Sequence, residues 1–340
     1  MSVNWNAQVR INDPLELELE KIEKELNLRK HVIIQFSHPS FYGSILPEID
    51  RLCARWDENL GVRFFGHYSL SFDCNTVLQI PNVKTLYVDC LIHAHNTDAL
   101  TRLENLHYLN LNIFELEDAD ILRAETFQKL CMLTIFSEKK TVNLEHLKGY
   151  TRLHTLIAGG KVNHLDAIGH LDRLEFLSLN SISKTPVHFI NKLEKLKTLK
   201  FILGGRESVE EIEENEIENL EIVRVRGFSN FQNITKFRKL RKLLIEDQIQ
   251  LNQINFNKPL KELEEISLLN CKGLTSVTGL AQLPSLHLLR IYKTSIDFES
   301  FIGQKLPDTL STLFFATSKS KLDHEIQKSL IEMGLQKDSE

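Results

Sequence analysis

One short apolar motif recurs along this chain at a nearly constant interval, and that recurrence narrows the possible folds more than any other feature. Leu106-His-Tyr-Leu109-Asn-Leu111 has the form L-x-x-L-x-L. The form returns as Leu174-Glu-Phe-Leu177-Ser-Leu179, Leu240-Arg-Lys-Leu243-Leu-Ile245 and Leu286-His-Leu-Leu289-Arg-Ile291. Looser copies begin at Val83, Leu130, Leu153, Leu196, Leu220, Leu263 and Leu310, so eleven starts follow one another at steps of 20 to 24 residues. A fixed period of this length is the mark of a stacked repeat. The last two apolar positions of each copy alternate, which puts them on one side of a short strand and the intervening residues on the other. The rest of each period, as in Asn96 to Leu103 or Val162 to Leu171, has the length of a helical or 3-10 turn with loops. That return starts the next strand in parallel. One unit cannot bury its own leucines, but stacked neighbours make a continuous core.

The motif resembles the leucine-rich-repeat family, in particular its short branch of about 22 residues per repeat, seen in bacterial internalins and in the regulatory subunit of a nuclear protein phosphatase. The resemblance covers roughly residues 80 to 317. It implies an α/β leucine-rich-repeat solenoid, with a curved parallel β-sheet on the concave face and short helices or 3-10 turns and loops on the convex face. In that family an Asn or Cys three positions after the last strand leucine satisfies backbone groups of the loop. Here only Cys271 holds that position, while Asn112, Asn180 and Asn270 stand one or two places early. The ladder of such side chains is therefore expected to be incomplete.

Both open ends of a stacked core need covering. Asp13-Pro14 predicts a helix start, followed by Leu15, Leu19, Ile22 and Leu26 at helical spacing. His31 to Phe36 reads as a strand, Ile45, Ile49, Leu52, Cys53 and Trp56 as a second helix, and Leu60 to Phe65 as another strand. Residues 1–82 are thus an expected α/β N-terminal cap, 83–317 the repeats, and 318–340 a C-terminal capping helix and tail. That last helix carries Leu322, Ile326, Leu330 and Met333, with Gly334 to stop it.

Neither a basic and apolar secretory leader nor a run of ~20 apolar residues appears in the sequence, so a cytoplasmic protein with no membrane contact is expected. Five scattered cysteines without a Cys-x-x-Cys fit neither a disulfide framework nor a zinc site, and are expected reduced and mostly buried. A formal charge of −5 argues against a general nucleic-acid binder, which would carry a basic excess.

Chemistry is sparse. Ala158-Gly159-Gly160-Lys161 lacks the upstream glycine and the following Ser or Thr of a phosphate loop and reads as a tight turn after a strand. His93-Ala-His95 has no third ligand nearby and reads as two surface loop histidines, and Cys131 between Leu130 and Met132 as a buried thiol. No catalytic motif, cofactor site or metal site is expected. The acidic stretch Glu207 to Glu221 holds eight glutamates, and its Val209, Ile212 and Ile217 are expected to supply the core beneath a solvated face, the alternative being a docking site for a basic partner.

With the alternating apolar positions turned inward, the outward residues can be read off. Tyr87, Tyr108, Phe136 and Phe176 form an aromatic strip towards the N-terminal side, and Lys200, Arg224, Arg226, Lys242, Arg290 and Tyr292 a basic and aromatic strip further on. Aromatic rings and arginines dominate binding hot spots. These ten residues are the candidate seat of a partner protein with an acidic and partly apolar surface. The expected function is non-catalytic binding, as an adaptor, regulatory subunit or inhibitor. The alternatives are a bacterial effector acting on a host protein, and RNA or phospho-ligand binding through the basic strip.

Overall fold

The computed structural model describes residues 4–38, 40, 42–66 and 71–336. The side chain of Cys90, expected to be reduced and buried, lies outside the described residues. The chain divides into two compact units, Met1–Leu174 and Glu175–Glu340.

In the first unit β1 (Asn4–Asn12), α1 (Leu19–Asn27), β2 (Lys30–Phe36), α2 (Leu46–Trp56) and β3 (Leu60–Phe65) precede β4 (Phe72–Asp73), β5 (Thr85–His95), β6 (Tyr108–Glu115), β7 (Met132–Asn143) and β8 (Thr155–Asn163). Every neighbouring pair in the order β1-β2-β3-β5-β6-β7-β8 is parallel, and β4 adds to the far end of β5. The returns between β5 and β8 are 3-10 turns, such as Thr97–Arg102 and Glu145–Gly149, as the repeat length predicts. Leu86, Leu109, Leu133 and Leu156 align across β5 to β8 and are fully buried.

Three features of this unit differ from the sequence-based expectation. Residues before α1 form a strand, β1, that the sequence reading did not contain. The helix begins at Leu19 and not at Asp13-Pro14. Asp13 is instead left-handed (φ 45°), and its carboxylate accepts from the Ser37 amide (2.7 Å) and hydroxyl (2.8 Å), which holds the turn off the end of β2. Only Ile22 and Leu26 of the apolar stripe are buried, while Leu15 is exposed. The Gly-Gly segment is also not a turn. Gly160 lies inside β8 with φ 71°, and a Cβ there would stand 2.1 Å from the Ser137 carbonyl oxygen, so glycine permits the close approach of β7.

The second unit contains β9 (Phe176–Asn180), β10 (Thr198–Ile202), β11 (Asn219–Val223), β12 (Lys242–Glu246), β13 (Gln253–Asn255), β14 (Glu265–Leu269), β15 (Ser276–Thr278), β16 (Leu288–Tyr292), α3 (Phe298–Ile302), β17 (Thr312–Ala316) and α4 (Ser320–Glu332). Strands β9-β10-β11-β12-β14-β16-β17 pair in parallel, each over five residues in strict register, and β13 pairs with β15 apart from them. On α4, Ile326 and Leu330 are buried and Leu322 stays exposed, while Met333, also exposed, and Gly334 at φ 71° follow the helix.

The register corrects one repeat. Leu220 pairs with Leu199 on β10 and Leu243 on β12, which are the second apolar position of their copies. The copy therefore starts at Ile217 and reads Ile217-Glu-Asn-Leu220-Glu-Ile222, with all three apolar residues buried. A start at Leu220 had placed Ile222 outward, where it would waste a fully buriable side chain.

The turn after each strand is also regular. Ser181, Leu203, Arg224, Asp247, Asn270 and Lys293 are all left-handed, with φ between 53° and 59°. Each amide donates to the last residue of the next strand, for example Leu203 to the Val223 carbonyl (2.8 Å) and Asn270 to that of Tyr292 (2.7 Å). The side-chain ladder is sparse, as expected, but Cys271 is not its sole member. Gln248 occupies the equivalent position one repeat earlier, and its Nε2 donates to the carbonyls of Ile222 (3.3 Å) and Glu246 (2.8 Å). Cys271 Sγ donates to those of Ile245 (3.6 Å) and Leu269 (3.4 Å).

Candidate protein-binding surface

Alternation leaves one face of each ladder turned away from the leucine core, and the two units fill that face differently. In the first unit it is largely closed by its own polar groups. Gln35 Nε2 donates to Asn12 Oδ1 (2.7 Å), Arg63 Nη1 donates to Gln35 Oε1 (3.2 Å), and Arg63 Nε donates to Asp89 Oδ1 (2.7 Å). Asp89 is only 7% exposed, and burial raises its carboxyl above the usual range even though the Arg63 guanidinium opposes that shift. Tyr87 is closed in beside this network. Its hydroxyl is hydrogen-bonded to His31 Nε2 (3.0 Å), and burial pushes its ionisation up to about 12. His31 is fully buried, and desolvation lowers its imidazole to about 4 against the backbone hydrogen bonds of Asn59 and Glu58. Tyr108, in edge contact with the His154 ring, and Phe136 are half-buried.

In the second unit the same face is more open and its charges are paired along the ladder. Lys200 Nζ lies 2.9 Å from Glu221, Lys242 Nζ 2.8 Å from Glu265, and Arg290 3.8 Å from the same Glu265. Lys200 also sits 5.4 Å from the Phe176 ring centroid. A strand slot expected to hold a cation is thus held by Glu221, a direct result of the shifted register. The basic strip is corrected to an alternation of cations and carboxylates, and the premise for an acidic partner on this face goes with it.

Arg224 and Arg226 are not on the strand face. Arg224 occupies the left-handed position after β11, with Nε 2.7 Å from Asp247 Oδ2, and Arg226 lies two residues further into the loop. Of the ten candidates the ladder register brings together Lys200, Lys242, Arg290 and Tyr292 with Phe176 in the second unit. Phe314, outward on β17 and 45% exposed, joins them, and its place in the repeat is the sequence signal that marks it. Arg290 lies 5.9 Å from the Phe314 ring centroid, Tyr292 beside it is 40% exposed, and Leu244, Leu269 and Leu288 are half-exposed neighbours.

Other marked residues have ordinary partners. His93 and His95 are exposed but belong to strand β5 and not to a loop, His93 being 3.0 Å from Glu115. Cys131 is half-buried, not buried, whereas Cys53, Cys74 and Cys271 are buried and burial raises each thiol, Cys53 to about 12 and Cys271 to about 11. In the acidic stretch Val209, Ile212 and Ile217 are buried as expected, and Asn233 Nδ2 donates to the carbonyls of Val209 (2.8 Å) and Ile212 (3.1 Å). Among the described residues no group of three or more His, Cys, Asp or Glu is placed to hold a metal ion, and no helix is long and apolar enough to cross a membrane.

Parallel strands recurring at this period, leucines stacked inward and left-handed turns in register define a leucine-rich-repeat solenoid of the α/β class. No protein-family model matches the chain, and no curated protein matches it. Among solved structures it is similar to an internalin, InlF, from Listeria monocytogenes, with 15% identity over 91% of this chain and 86% of that one and a TM-score of 0.55. It is also similar, less closely, to the leucine-rich repeat domain of APL1B, with 17% identity over 73% of this chain and 79% of that one at a TM-score of 0.44. A Leptospira interrogans leucine-rich-repeat protein shares 18% identity over 86% of this chain and 92% of that one at 0.39. The internalin likeness bears on the fold.

Proposed function

We propose that this chain is a non-catalytic module that seats a partner protein on the outward face of β12, β14, β16 and β17, as an adaptor, regulatory subunit or inhibitor. The observation that carries this reading is the cluster of Arg290, Tyr292 and Phe314, whose two rings stay open to solvent on a face that the core does not need. Large rings beside an arginine supply anchor residues of the kind that dominate interface energies. A rigid ladder loses little ordering entropy on binding, which favours one-to-one recognition. Carboxylates interleaved with the lysines make this face a poor track for a nucleic-acid backbone, so RNA binding is the weaker reading.

The test is photocrosslinking in the native host from a benzophenone amino acid placed at Phe314, with a second placement at Lys321 on α4 as control. One protein should crosslink from Phe314 and not from Lys321. Tyr292→Ala with Phe314→Ala should then remove its binding while leaving thermal unfolding unchanged. Binding that survives this double substitution would move the seat elsewhere.

A further inference from the structure

The loops that follow β11, β12 and β14 form a second surface, at the edge of the ladder. Three residues past the end of each strand stand Arg226, Ile249 and Lys272. The strand register carries these positions onto adjacent rungs, ~5 Å apart. They line one groove of about 470 Å³ together with Arg224, Asp247 and Asn270. The loops are held firmly. Gly204 at φ 74° lets the preceding rung approach, since a Cβ there would stand 2.2 Å from the Ile182 carbonyl oxygen. The Arg226 carbonyl accepts from the Arg206 amide (3.1 Å) and its own amide donates to Gly204 (3.2 Å).

The chemistry of the groove is unbalanced. Arg224 is neutralised by Asp247, but among the described residues no carboxylate lies within ion-pair distance of Arg226 or Lys272. Between these two cations Ile249 is 75% exposed, an apolar side chain lining the groove and open to whatever fills it. A cation, an aliphatic side chain and a cation in line call for a carboxylate, an apolar side chain and a carboxylate. Inorganic phosphate would satisfy the charges and leave Ile249 in water. A nucleic-acid backbone, like phosphate, brings no aliphatic group to cover Ile249.

We propose that this groove is a docking site for a short acidic segment of a partner protein, in which carboxylates flanking an aliphatic residue meet Arg226 and Lys272 while the aliphatic residue covers Ile249. The site is separate from the strand face bearing Tyr292 and Phe314, so it stands or falls independently of that reading.

The experiment uses the full chain and a fluorescein-labelled octapeptide with glutamates on either side of a central leucine pair, read by fluorescence anisotropy. Its glutamine counterpart and a single-stranded RNA octamer serve as comparison probes. The acidic peptide should bind, weaken with added salt, and lose about tenfold or more in affinity in Arg226→Glu with Lys272→Glu. Ile249→Ala should weaken it as well, and Tyr292→Ala with Phe314→Ala should leave it unchanged. No binding, equal binding of the glutamine counterpart, tighter binding of the RNA, or indifference to the Arg226 and Lys272 substitutions would each overturn the proposal. Sedimentation equilibrium adds one more arm. Self-association abolished by the same double substitution would make a second copy of this chain the occupant and overturn it too.

Discussion

The outward faces of the two units start from the same alternating strands and end as different materials. Around β2, β3 and β5 the face is interior: His31, Gln35, Thr85 and Asp89 are buried, and Arg63 is tied to both Gln35 and Asp89. Around β12, β14, β16 and β17 it is surface, with Tyr292 and Phe314 open and charges paired across neighbouring strands. Tyr87 and Tyr292 are both outward tyrosines by the alternation, yet one serves as a hydrogen-bond partner of a buried histidine and the other is 40% exposed. Alternation decides only that a side chain leaves the leucine core. Whether it then meets water depends on what its neighbours ~5 Å away lay across it.

Stability measurements can break this contrast, and the largest effect is expected in the first unit. Asp89→Ala takes the carboxylate from a largely buried guanidinium and should cost ~3 to 5 kcal/mol in denaturant unfolding. A cost below ~1 kcal/mol, the range of exposed pairs, would mean that this face is surface after all. Leu109→Ala and Leu177→Ala, one inward leucine from each unit, should each cost ~2 to 5 kcal/mol through the cavity left behind. Similar values would confine the difference between the units to their outward faces.

Acid should sharpen the same contrast. The His31 imidazole takes up a proton near pH 6.5 in the unfolded chain and only near 4 in the folded one. Between those values the unfolded state binds the extra proton, so the stability contributed by a neutral His31 is complete above pH 6.5 and is lost as the pH falls towards 4. The loss should be roughly 3 kcal/mol. His31→Leu should flatten that part of the pH profile, and an unchanged slope would place the histidine in solvent. At the small end, Glu265→Ala in the second unit should cost less than ~1 kcal/mol, because its partners Lys242 and Arg290 are both partly solvated. Tyr292→Ala with Phe314→Ala should barely move the unfolding midpoint.

Much of the fold was legible because the period leaves few choices. Eleven strands begin two residues after the first apolar residue of each copy once the copy at Ile217 is recognised. The strand at Leu60 to Phe65 and the helix carrying Ile49 and Leu52 also stand where the sequence puts them. Strand β1 was missed although it carries a legible signal: Trp5, Ala7, Val9 and Ile11 alternate with polar residues at the period of a half-buried strand, and its pairing with β2 shows the alternation to be real. The slip at Leu220 had a visible warning. It broke the even spacing, with steps of 24 and 20 where Ile217 gives 21 and 23, and it turned a fully buriable isoleucine outward.

The candidate site was less legible than the fold for the same reason. Sequence alone determined that leucines every 21 to 24 residues must stack inward, because no single repeat can hide them, and hence which positions of a correctly started copy leave the core. Tertiary structure decided the rest: that Glu221 stands between cations, that Arg226 and Lys272 flank Ile249 on adjacent loops, and that Tyr87 is closed in while Tyr292 is open. These are relations between residues a whole repeat apart. They depend on register and on what covers what, and an apolar period carries neither charge order nor shape.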